Sequence, residues 1–129
     1  MDVLIVEDEV VVGFALREEL QDLGVDVAVQ LEAESALEQL ALRTVDVAII
    51  DITLPGMSGD ALAKECRRRF PRLPIVMTTG LNAHEVRAIF AGDGCLEVIE
   101  KPHDFVALRA CLERLGIVFD GQAIRSAND

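Results

Sequence analysis

The sequence predicts an α/β fold of five parallel strands, each followed by a helix, with the strands in the order 2-1-3-4-5. Three observations carry this reading. Short apolar, β-branched runs alternate with stretches whose apolar residues recur at helical spacing. The central runs are apolar at nearly every position, as in strands covered on both faces. Polar or charged residues stand at the carboxyl ends of the runs, where open α/β sheets bind their ligands. At 129 residues and 14.1 kDa, with 51% hydrophobic and 27% charged residues, the chain suits one domain with a real core.

Val3-Leu4-Ile5-Val6 is the first strand and runs into Glu7-Asp8-Glu9. Val12, Leu16, Leu20 and Leu23 then form a core stripe on a helix that Gly24 ends. Val25 to Val29 alternates apolar and polar, the pattern of a strand near an edge. Ala33, Ala36, Leu37 and Leu40 mark the second helix. Val45 to Ile50 is the third strand, ending in the carboxylate of Asp51. Pro55, Gly56 and Gly59 force a loop, and Ser58 is placed to cap a helix carrying Leu62, Cys66 and Phe70. Pro71 and Pro74 break it, and Ile75-Val76-Met77 forms a fourth strand ending in Thr78-Thr79-Gly80. Asn82 with Glu85 reads as a capping box for a short helix that turns Val86, Ile89 and Phe90 to the core. After Gly92 and Gly94, Leu96 to Ile99 is the fifth strand, entering Glu100-Lys101-Pro102. Phe105, Leu108, Leu112 and Leu115 line the last helix, which Gly116 closes. From about Ile117 onward no period remains, so residues 1–118 read as the domain and 119–129 as a polar tail.

For five strands this is the flavodoxin-like (βα)5 three-layer sandwich, with right-handed crossovers. Strands 1 and 3 then lie side by side at the switch point. The strand ends bring Glu7, Asp8, Asp51, Thr79 and Lys101 into one crevice, whereas strand 2 ends in Gln30-Leu31 and adds nothing ionic. Crowded carboxylates repel one another, and a hard divalent cation such as Mg²⁺ resolves the repulsion. Thr79 offers a hydroxyl and Lys101 a cation for phosphoryl oxygens. The set suits transfer of a phosphoryl group to Asp51 as nucleophile.

These residues resemble the receiver domain of two-component response regulators, the CheY-like superfamily. The resemblance spans about Val3 to Leu115. It rests on Glu7-Asp8, on Asp51 with Leu54-Pro55-Gly56-Met57-Ser58-Gly59, on Pro74 to Gly80, and on Lys101-Pro102. It implies that Asp51 accepts phosphoryl from a sensor histidine kinase or a histidine phosphotransfer protein. It further implies that Asp8, Asp51 and the Thr53 carbonyl ligate Mg²⁺, that Glu7 reaches the ion through water, and that Thr79 and Lys101 contact the phosphoryl oxygens. Chemistry beyond the domain's own phosphorylation and dephosphorylation is not expected. The sequence departs from the family pattern at Val98, where an aromatic is usual, at His103, where Phe is usual, and at Gly80, where Ala is commoner.

Two other classes share parts of this pattern. A haloacid-dehalogenase-like phosphatase needs a second Asp two residues after the nucleophile, and Thr53 stands there. A flavodoxin needs a Ser/Thr/Gly-rich phosphate loop after strand 1, where Glu7-Asp8-Glu9 repels phosphate. The net charge of −11 argues against a nucleic-acid partner. No run approaches the length of a membrane span, so a cytoplasmic protein without membrane contact is expected. It is expected to be a monomer or a phosphorylation-dependent dimer. Cys66, Cys95 and Cys111 lack metal spacing and read as reduced thiols. His84 and His103 have no partner at ligand spacing. With no output domain among these residues, the chain is expected to act through contacts, or to be a module of a hybrid histidine kinase or larger regulator.

Overall fold

A computed structural model describes residues 1–80 and 82–119. Strands and helices alternate from end to end: β1 (Asp2–Val6), α1 (Val10–Gln21), β2 (Asp26–Gln30), α2 (Ala33–Leu42), β3 (Val47–Asp51), α3 (Gly59–Arg69), β4 (Ile75–Thr79), α4 (Ala83–Ile89), β5 (Leu96–Glu100) and α5 (Phe105–Arg114). All strand pairs are parallel and the order is β2-β1-β3-β4-β5, as the sequence predicts.

The sheet divides the core in two. Val6, Ile50, Met77 and Val98 point to one face, where α2, α3 and α4 bring Ala36, Leu62 and Val86. Val3, Ile5, Ile49, Val76 and Ile99 point to the other, against Leu20 of α1 and Leu108 and Leu112 of α5. β3 and β4 are buried at every position, whereas β2, with one neighbouring strand, is partly exposed throughout. That difference is why β2, and not β3 or β4, shows alternation in sequence.

Helix ends follow local chemistry. The Ser58 hydroxyl accepts the Ala61 N–H at 3.4 Å and starts α3. Asp104 does the same for α5 through the Ala107 N–H at 2.8 Å, a cap the sequence reading did not assign. Gly24 and Gly116, at φ +83° and +88°, take the left-handed turn after α1 and α5.

Three local expectations are corrected. Asn82 precedes α4 but adopts φ 62°, ψ 37°, and its side chain makes no cap bond. A left-handed residue turns its side chain away from the helix amides, so no capping box forms. Val12 and Ile89 are exposed rather than core residues, because α1 and α4 each bury a narrower stripe than the spacing suggested. Past α5, Ile117 and Phe119 are buried against the helix and the sheet, so packed chain reaches residue 119. Residues 120–129 of the expected polar tail, and Leu81, lie outside the described residues.

Candidate functional site

The site grows from the pleat. Side chains two apart on a strand share a face. The row Val3–Ile5 of β1 therefore continues to Glu7, and Val47–Ile49 of β3 continues to Asp51. On β5 the row Glu97–Ile99 continues to Lys101. Thr78 of β4 lies in the same set, paired in register with Asp51. Thr79 belongs to the opposite row, Ile75–Met77, on the face that also carries Val98. One face of the sheet thus ends in carboxylates and an ammonium, and the other in the Thr79 hydroxyl.

Backbone ladders hold these ends in place. The Glu7 N–H donates to the Gln30 carbonyl at 3.0 Å, and the Ile52 N–H to the Thr78 carbonyl at 2.9 Å. The Lys101 N–H donates to the Thr79 carbonyl at 2.7 Å, which carries the β4–β5 pairing one residue past β5. Turn amides then steady the carboxylates. The Glu9 N–H donates to Glu7 Oε2 and the Thr53 N–H to Asp51 Oδ1, each at 3.2 Å. Lys101 Nζ lies between the two, 2.8 Å from Glu7 Oε1 and 3.2 Å from Asp51 Oδ2.

Glu7 and Asp51 are buried and Asp8 is exposed, with one oxygen from each lying within 4.8 Å of the others. Burial, with the Asp51 carboxylate alongside, raises the Glu7 pKa despite the opposing pull of Lys101. Burial opposes the charge on Lys101, but Glu7 and Asp51 together outweigh it and raise the Lys101 pKa. Three carboxylates face one ammonium, so the site carries an excess of negative charge. Its donors are all hard oxygens, and the exposed Asp8 leaves it open to solvent. Such a set fits a small divalent cation better than a soft metal.

The structure therefore brings Glu7, Asp8, Asp51 and Lys101 together. Thr79 reaches the site through its backbone and is buried at the end of β4. Thr53 contributes its N–H to Asp51. Two glycines matter more than the sequence reading allowed. A Cβ on Gly59 would collide with the Asp51 carbonyl oxygen and stand 2.6 Å from Ile52 Cα, so only glycine lets α3 start against the end of β3. A Cβ on Gly13 would meet Val29 Cγ1 at 3.2 Å and Glu7 at 3.6 Å, so α1 passes close beneath the acidic pair. For Gly13 the available signal was a glycine inside a helical pattern, whereas Gly59, read as part of the loop, is the first residue of α3. His103 lines the small cavity under the carboxylates, with Gly13, Leu16 and Thr78.

Over residues 3–113 the sequence matches the family described as the response regulator receiver domain. The chain belongs to that family. It is 31% identical over 114 residues to the transcriptional regulatory protein ZraR of Escherichia coli O157:H7, covering 88% of this chain and 26% of ZraR. The receiver domain of NtrX from Brucella abortus superposes with a TM-score of 0.81 at 31% identity, covering 91% of this chain and all (100%) of that one. The response regulator TrrA from Thermotoga maritima, in complex with Mg²⁺-BeF, gives 0.79 at 27% identity, covering 88% and 97%. The chain spans 24% to 56% of the length of the first curated relatives it matches. Membership in this signalling family sets aside the phosphatase and flavodoxin readings.

Proposed function

We propose that Asp51 is the phosphoryl acceptor of this receiver, supplied by a sensor histidine kinase or a histidine phosphotransfer protein. One observation carries the reading: a buried strand-end carboxylate lies 3.2 Å from Lys101 and within reach of two further carboxylates. An Asp51 oxygen attacks phosphorus, the phosphorus–nitrogen bond to the donor imidazole breaks, and the nitrogen keeps the electron pair. Lys101 neutralises charge on the phosphoryl oxygens, and the Thr79 hydroxyl, which ends the opposite row, turns toward the site to donate to one of them. Asp8, Asp51 and the Thr53 carbonyl would hold Mg²⁺, with Glu7 acting through water. The ion supplies charge neutralisation at the transferring group. The protein performs no chemistry beyond gaining and losing this phosphoryl group, and it does so in the cytoplasm. Val10, Val11 and Phe14 are exposed on α1 just past the acidic turn, an apolar apron suited to a protein donor.

The test is incubation with acetyl phosphate, with and without Mg²⁺, followed by intact-mass measurement. The reading expects one phosphoryl group per chain, dependent on Mg²⁺ and lost in Asp51→Asn. A mass gain that persists in Asp51→Asn rejects it. A second reading, that the chain is the receiver module of a longer regulator, is favoured by the fraction of its relatives that it spans.

A further inference from the structure

One cavity of the described chain lies far from Asp51. It is a groove of about 800 Å³ at the amino-terminal edge of the sheet, between the end of α2 and the loop joining α3 to β4. The floor ends before β3 begins at Val47, so Asp51 lies more than four strand steps away, over about 13 Å at ~3.3 Å per residue. Leu40, Val45, Phe70 and Leu73 give it an apolar floor, and Leu42 stands on its rim 86% exposed.

Its charge runs against that of the whole protein. Arg43, Arg69 and Arg72 line the groove, with Asp46 as the one acidic lining residue, in a chain of net charge −11. The Asp46 carboxylate accepts the Asp2 N–H at 2.7 Å. Arg43 pairs with Asp2 at 3.2 Å yet keeps half of its side chain exposed. Arg69 pairs with Glu65 at 2.6 Å from the flank of α3.

The wall of the groove is held rigid. The Arg67 guanidinium donates to the carbonyls of Phe70, Pro71 and Leu73 at 3.1, 3.2 and 2.8 Å. It also pairs with Asp93 at 2.8 Å. The loop carrying Phe70 and Arg72 is therefore set before any partner arrives, which lowers the ordering cost of binding.

We propose that this groove is a docking site for an acidic peptide segment bearing an apolar anchor residue. The anchor packs on Leu42 and Phe70, and flanking carboxylates meet Arg43, Arg69 and Arg72. Because the groove opens at the end of the sheet opposite Asp51, docking there leaves the phosphoryl site free and does not depend on its state.

The test is fluorescence anisotropy with a fluorescein-labelled peptide of glutamates around one leucine and one phenylalanine, against a copy with lysines for the glutamates. The acidic peptide binds, the lysine peptide does not, and added salt weakens binding. Arg72→Glu and Leu42→Asp, both at exposed positions, each weaken it by about tenfold or more. Both keep the wild-type melting temperature and still gain phosphoryl from acetyl phosphate, so docking and phosphoryl acceptance are read separately. Asp51→Asn binds the peptide as wild type does. No binding up to about 1 mM, equal binding of both peptides, or indifference to Leu42 and Arg72 overturns the proposal. Leu42-dependent self-association in sedimentation also overturns it, by making a second copy the occupant.

Discussion

Gly59 is the residue on which the geometry of the site depends most sharply. Its missing side chain lets α3 begin against the Asp51 carbonyl, with the Gly59 N–H bonded to the Ile52 carbonyl at 2.9 Å. Gly59→Ala forces backbone apart where the carboxylate is held, and a loss above about 4 kcal/mol is expected. Urea unfolding checks this, and a loss under about 1 kcal/mol contradicts the close approach. Glu7 gives a pH signature. Its folded-state pKa lies above 4.5, so the folded protein binds this proton more tightly than the unfolded chain. Its contribution is then greatest below that value and is lost as pH rises through the raised folded one. In EDTA, Glu7→Gln removes this decline, seen as a stability curve that stays flatter as pH rises above the ordinary carboxylate range. Asp51, Asp8 and Lys101 were legible in the sequence because each ends or follows an apolar strand. The contact of Lys101 with Glu7 was not, since it depends on which face of the pleat each residue takes.

At the scale of elements, strands were legible wherever burial on two faces left an unbroken apolar run. The start of α4 was legible, but its capping box was not formed, because Asn82 holds the cap position with a left-handed backbone and makes no side-chain cap bond. That connection matters for signalling. Thr79 and Val98 share a face of the sheet, and the Arg87 guanidinium of α4 donates to the Val98 carbonyl at 3.2 Å. Val98 is too short and too stiff at χ1 for a large swing. A response to phosphoryl at Thr79 is therefore expected to pass into the turn before α4. Beryllofluoride with Mg²⁺ is expected to shift amides from Thr79 to Phe90 more than those around Val98. Val98→Ala costs about 1–3 kcal/mol in packing and leaves that response intact. Shifts centred on β5 with the α4 region unmoved contradict this route.

For the whole molecule, the fold was legible because every strand of the order 2-1-3-4-5 carries its own pattern. The packing of Ile117 and Phe119 was not, because the three apolar residues after Gly116, Ile117-Val118-Phe119, are too few to show a period. Charge acts at this scale too. A chain of net charge −11 with three carboxylates at the ends of β1 and β3 is expected to gain stability from a divalent cation. At a hundredfold excess over its dissociation constant, Mg²⁺ is expected to add about 2.7 kcal/mol. Asp8→Asn is expected to melt higher than wild type in EDTA and to lose the Mg²⁺-dependent rise; a lower melting temperature in EDTA contradicts the clustering of charge. The central claim, that Asp51 carries the phosphoryl group, is tested most directly by locating the modified residue. Borohydride reduces an aspartyl phosphate to homoserine, which peptide mass spectrometry places in the sequence. After acetyl phosphate and Mg²⁺, homoserine at position 51 is the predicted result, and homoserine at Asp8 or at any other carboxylate contradicts it.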